Sequence, residues 1–121
     1  PSFSCPVKES TGNQVDFLLK KLEQNTDSRK IFLYLNVCSI HYPNYFYLEG
    51  EKNDTLDTHR AALRYADGQL GRLFDGWKEK RGETFVVCFS DHGTCYGEDG
   101  YIFHGVNHPV VNTVPYKHFF L

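Results

Sequence analysis

Four side chains in this sequence could do chemistry at one site: Asp91, His92, His104 and His41. Asp91 and His92 stand side by side directly after an apolar run, in Ser90-Asp91-His92-Gly93. A carboxylate and an imidazole leaving a buried strand together can face one crevice, and both are good ligands for Zn²⁺ or Mn²⁺. A glycine-punctuated loop, Gly93-Thr-Cys-Tyr-Gly-Glu-Asp-Gly100, can then fold back and return a third imidazole from His104-Gly105. A second arrangement uses sulfur. Cys88, His92, Cys95 and His104 read C-x3-H-x2-C-x8-H, the atom types of a closed structural zinc site in a non-standard spacing. Cys38 with His41 offers a thiol–imidazole pair that lacks a third group. Against these stands a plainer reading, in which Asp-His-Gly at a strand end is a capped turn. His59, His108 and His118 read as surface or sheet-contact residues, with His108 close enough to His104 to join a metal site.

The elements that must position these groups follow from periodicity. Residues 1–10 carry none and read as an irregular lead-in. Thr11 with Gln14 has the capping-box form. Val15, Leu18, Leu19 and Leu22 then recur at helical spacing, with Lys20, Lys21 and Glu23 opposite. Ile31 to Val37 is a near-continuous apolar run, which predicts a strand covered on both faces, as in a parallel sheet. An irregular aromatic stretch over 38–53 leads to Asp54 or Thr55 as cap of a long helix. Its apolar stripe is Leu56, Leu63, Leu70 and Trp77 with Ala66 and Leu73, and Gly76 and Gly82 help end it. Thr84 to Phe89 is a second buried-strand run. Helix, strand, loop, long helix, strand implies a right-handed βαβ crossover and the α/β class, with a mostly parallel sheet flanked by helices. Ligands in such sheets sit beyond the carboxyl ends of the strands, where Ser39, His41, Asp91 and His92 emerge.

Composition narrows the classes. The chain has 121 residues, room for one domain, and is 40% hydrophobic and 23% charged, enough apolar content for a core. A net charge of -2 and a pI near 6.3 argue against a nucleic-acid or anionic-membrane surface. No apolar stretch approaches the roughly 20 residues that span a bilayer. Cys38 and Cys88 lie in or beside apolar runs and read as reduced, buried thiols. With no secretory apolar segment at the start, the expectation is a reducing, cytoplasmic setting. The absence of Met and the start at Pro1 read as a processed, excised or internal segment.

Taken in order, three pieces form a pattern more specific than any one of them: Ser90-Asp91-His92-Gly93, Gly97-Glu98-Asp99-Gly100 and His104-Gly105. The pattern resembles the metal-site signature of the alkaline phosphatase superfamily. The branch is that of sulfatase-like hydrolases and transferases, which includes phosphoethanolamine and phosphoglycerol transferases. Phe32 to Pro43 resembles the preceding strand with its substrate-side histidine, and Tyr65-Ala-Asp67-Gly-Gln-Leu-Gly71 resembles the helix between. The similarity covers residues 15–121. It departs at Thr94, where transferase relatives often carry Glu, which weakens the phosphoethanolamine subgroup but not the superfamily.

The resemblance implies an alkaline phosphatase-like α/β domain acting on a phosphate or sulfate ester. It makes Asp91 and His92 ligands of a divalent metal, Zn or Mn, with Ca or Mg also open. His104 becomes a ligand or a donor to the ester oxygens, and His41 a second donor. The implied mechanism is attack by a metal-activated Thr, Ser or formylglycine through a covalent intermediate. Two protein ligands fall short of the usual three, and residues 1–30 hold no nucleophile in a recognisable setting. Ser10 and Thr11 read as cap chemistry. The whole chain, 1–121, is therefore expected to be the C-terminal portion of a catalytic domain, inactive alone. Its expected partners are the rest of that domain, an ester substrate and, through exposed sheet edges, copies of itself. A binding module that keeps the fold without catalysis is the alternative.

Overall fold

The computed structural model describes residues 7–121, so the start of the lead-in and Cys5 lie outside the described residues. Two compact units divide the chain, one running to Gly82 and the other from Glu83 to Leu121.

The first unit is a helical pair with an irregular loop. Helix α1 spans Ser10–Gln24, and its N-cap Glu9 makes no side-chain cap bond, so the expected Thr11/Gln14 box does not form. Thr11 is instead fully buried and hydrogen-bonded to Ser39, while Gln14 Nε2 donates to the Asn36 carbonyl at 3.1 Å. Both side chains bind α1 to a distant segment rather than to its own N-terminus. Helix α2 spans Leu56–Arg81 and opens on a reciprocal cap. The Thr58 N–H donates to Thr55 Oγ1 at 3.2 Å, and the Thr55 N–H donates to Thr58 Oγ1 at 2.8 Å.

The buried face of α2 is Thr58, Ala62, Ala66, Leu73 and Trp77, whereas Leu56 and Leu63 of the expected stripe are exposed. Small side chains let the two helices approach closely. A Cβ on Gly76 would lie 2.4 Å from Leu19 Cδ2, and one on Gly12 2.8 Å from Tyr65 Oη. Gly76 is thus a contact point inside α2 rather than its end. The helix stops at Gly82, where φ is +68°, a value that favours glycine.

Residues 31–37 do not form the strand their apolar run predicts. They make no ladder, and Phe32 and Tyr34 are 92% and 73% exposed. Exposure alternates along 32–37 with the period of two that β geometry gives. The side chains are patterned for a sheet, but no neighbouring strand covers them among the described residues. Cys38 corrects another expectation, since it is disulfide-bonded rather than reduced.

In the second unit, β1 (Phe85–Phe89) pairs with β4 (Tyr116–Phe120) in antiparallel register, Phe85 opposite Phe120 and Phe89 opposite Tyr116. Between them lie β2 (Cys95–Tyr96) and β3 (Ile102–Phe103), a second antiparallel pair. A short helix, α3 (Pro109–Asn112), follows. No parallel sheet and no βαβ crossover occur among the described residues. Here β1 finds its partner in the tail of the chain, a pairing that needs no crossover. The α/β class therefore holds only as mixed helices with small antiparallel sheets. Nor is β1 covered on both faces, because Phe85, Val87 and Phe89 are exposed together with Tyr116 and Phe120 opposite. No described helix is long and apolar enough to cross a membrane.

Candidate functional site

The Ser90–Gly93 turn begins where β1 ends. Ser90 Oγ donates to the His92 carbonyl at 2.6 Å, and the His92 N–H donates to Asp91 Oδ1 at 3.1 Å. The capped turn expected as the plain reading is therefore real. It does not exclude a ligand role, because the second oxygen, Asp91 Oδ2, is left facing His92 Nε2 at 3.9 Å. His92 Nδ1 lies 2.8 Å from the Gly93 carbonyl. A carbonyl only accepts, so Nδ1 carries a proton, and Nε2 is the nitrogen on the Asp91 side. Fixing one imidazole nitrogen on a carbonyl is how a ligating histidine is held in the right tautomer.

Gly93 holds the turn against α3. Its N–H donates to the Val111 carbonyl at 2.8 Å. A Cβ at this position would fall 1.9 Å from the Val110 carbonyl oxygen, so only glycine fits. Next to it, Thr94 Oγ1 is buried without a hydrogen-bond partner.

His104 is delivered by the β2–β3 pair. Gly97, Asp99 and Gly100 take positive φ through the connecting turn, and Phe103 does so at +71°, uncommon for an aromatic residue. The chain bends there, and the His104 ring stacks on His92 with centroids 4.2 Å apart and planes 22° from parallel. Asp91 thus stands beside His92, and the His104 ring is stacked on His92.

His41 belongs to the first unit, where it is exposed. Its Nδ1 lies 2.6 Å from the Tyr42 carbonyl, which assigns the proton to Nδ1. Its ring also packs on Tyr42, next to the cis Tyr42–Pro43 bond. The loop around it is held by polar groups that patterning did not single out. Asn44 is fully buried, donates to the Ile40 carbonyl at 3.3 Å and accepts from Thr58 Oγ1 at 2.6 Å. Asp54, expected as a helix cap, instead accepts from the Asn44 and Tyr45 N–H groups, each at 2.7 Å. Asp54 and Asn44 carry a sequence signal, since both residue types hydrogen-bond local backbone, but nothing in spacing pairs them.

His108 is a clearer departure. Far from being a surface residue it is 8% exposed, with Nδ1 3.5 Å from Cys95 Sγ and Nε2 3.1 Å from Asp99 Oδ2. Burial pushes the Cys95 thiol above its ordinary value, and the nearby Glu98 and Asp99 carboxylates push it further. That is the opposite of an activated nucleophile.

The model of the sulfatase family matches residues 5–112, most of the chain. The chain belongs to the sulfatase family. No curated protein and no solved structure matches it. In this sulfatase-family chain, the test of a metal site is the donor geometry. Two ligands about 2 Å from one tetrahedral ion stand roughly 3.3 Å apart. The 3.9 Å between Asp91 Oδ2 and His92 Nε2 is wider than that, so the exposed Asp91 side chain must close toward His92 for both to reach one ion. A third donor is not in place. Among the described residues no group of three or more His, Cys, Asp and Glu side chains is arranged to hold a metal. This also tells against the closed zinc site of Cys88, His92, Cys95 and His104. Cys88 sits in the β1 ladder opposite Lys117, and Cys95 turns to His108 instead.

Proposed function

We propose that this protein is a metal-dependent hydrolase or transferase of sulfate or phosphate esters, to which this chain contributes part of the metal and substrate site. The observation that carries the reading is the Asp91–His92 pair, whose carboxylate oxygen and imidazole Nε2 stand 3.9 Å apart in the turn that follows β1, with His92 Nδ1 held on the Gly93 carbonyl. Family membership over residues 5–112 supplies the chemical class. In this reading Asp91 and His92 hold the ion, Zn²⁺ or Mn²⁺ with Mg²⁺ or Ca²⁺ also open, the imidazole suiting zinc and the carboxylate manganese. When bound, such an ion stabilises charge on the ester oxygens and activates a nucleophile.

The remaining roles fall to this chain's histidines. His104, stacked on His92, donates to a non-bridging oxygen of the ester. His41, with Nδ1–H held on a carbonyl, offers Nε2 to the leaving group of the ester. To protonate a leaving group it must act as the imidazolium. The rest of the ligand set and the nucleophile come from another part of the catalytic domain. That part also covers the exposed Phe32 and Tyr34 and completes the larger, mostly parallel alkaline phosphatase-like sheet. The disulfide at Cys38 supports an oxidising compartment over the cytoplasm.

The test compares the 121 residues with a longer protein that includes the preceding sequence, using 4-nitrophenyl sulfate and bis(4-nitrophenyl) phosphate with and without Mn²⁺ or Zn²⁺. Metal-dependent turnover by the longer protein alone is the expected result. Robust turnover by the 121 residues would overturn the partial-site reading. Metal binding without turnover by either would favour the binding module.

A further inference from the structure

His108 stands at a junction that the ester chemistry does not use. Its Nδ1 accepts from the Val110 N–H at 3.2 Å, which makes it the N-cap of α3. A backbone N–H only donates, so Nδ1 holds the lone pair and Nε2 the proton, and that proton points at Asp99 Oδ2, 3.1 Å away. The Cys95 thiol lies 3.5 Å from the same Nδ1, and the Tyr101 ring packs against the imidazole with centroids 5.7 Å apart.

Each contact leads to a part of the candidate site. Through α3, whose Val111 carbonyl receives the Gly93 N–H at 2.8 Å, the ring is linked to the turn that presents Asp91 and His92. The 1.9 Å that separates a Cβ on Gly93 from the Val110 oxygen shows how little play that contact has. Through Cys95 the ring is linked to the first residue of β2, whose partner β3 ends one residue before His104. Through Asp99 it is linked to the turn joining β2 to β3.

From these contacts we infer that His108 is a positioning residue, which holds His92 and His104 face to face by tying α3, β2 and the Asp99 turn together. It touches no substrate. A buried imidazole suits the task because its two nitrogens, opposite in role, grip two loops at once. No hydrophobic side chain of similar volume does this, and an amide reproduces only one of the two bonds. The consequence for metal binding rests on the function proposed above, whereas the consequence for ring geometry does not.

The test uses histidine-labelled, metal-free protein and nuclear magnetic resonance. Long-range nitrogen–proton correlations should show His108 as the Nε2–H tautomer, and an Nδ1–H tautomer would overturn the inference. The wild type should show a ring-to-ring Overhauser contact between His92 and His104. His108→Ala should lose it while circular dichroism and cooperative melting persist, and Mn²⁺ affinity should fall about tenfold, as for other outer partners of metal ligands. Retention of the contact with unchanged Mn²⁺ affinity in folded His108→Ala would overturn the proposal. Should that variant not fold, Asp99→Ala decides, because Asp99 is exposed and lies outside the core. Its His92–His104 contact should weaken, and an unaltered contact would overturn the proposal. If the wild type binds no Mn²⁺, the metal reading fails and the Overhauser comparison still decides the role of His108.

Discussion

Asp91 is 84% exposed, so removing its carboxylate takes little packing with it. Asp91→Ala should lower Mn²⁺ affinity sharply and lower the melting temperature of the metal-free protein only modestly, through the lost His92 N–H bond, which a titration and a thermal scan together check. Gly93→Ala should do the reverse of a silent surface change. The new Cβ meets backbone at Val110, which cannot rotate away. The cost should be about 2 kcal/mol, the size of an overpacked contact, read as a lowered urea midpoint. Glu98 supplies a pH test at the same turn. Its carboxylate accepts backbone N–H bonds from its own residue and from Tyr96, which hold its pKa below the ordinary value of 4.5. A depressed carboxylate contributes stability above its unfolded pKa and loses it as pH falls through the folded one. Stability of the β2–β3 turn should therefore be full at neutral pH and decay in acid below about 4.5, and Glu98→Gln should flatten that decay. The return of His104 to His92 was open in the sequence as one consequence of a glycine-rich loop, beside the capped turn that also formed. His108 was not, because burial and tautomer depend on contacts that spacing does not encode.

Both main helices were legible to within a residue or two, since a 3.6-residue apolar rhythm survives almost any packing partner. Which residues of α2 face inward was less so. Leucine spacing pointed to Leu56 and Leu63, while the observed face uses Thr58 and Ala62 and keeps the expected Ala66, Leu73 and Trp77. Close packing at Gly76 and Gly12 favours small residues there, and hydropathy gives them little weight. Thr55 is the exposed half of the α2 capping box. Thr55→Ala should cost about 1 kcal/mol, the usual loss at an N-cap, measurable by denaturant unfolding. The strand over 31–37 was the largest miss. An apolar run states what a segment wants buried, but pairing requires neighbours, and no described strand lies beside it.

Among the described residues, exposed apolar side chains gather on two segments. Phe32, Tyr34 and the aromatic face shared by β1 and β4 are exposed, the pattern of an interface or of a sheet awaiting more strands. Sedimentation of the 121 residues should accordingly depend on concentration, and Phe85→Ser with Phe120→Ser should reduce that dependence. A monomer at all concentrations would count against uncovered edges. The central claim, that Asp91 and His92 bind a divalent cation, is tested most directly by titrating Mn²⁺ into histidine-labelled protein and following the six imidazole signals. The account predicts that His92 broadens first, His104 with it, and that Asp91→Ala removes the effect. Equal broadening of every histidine, or an Asp91→Ala response identical to the wild type, would contradict it.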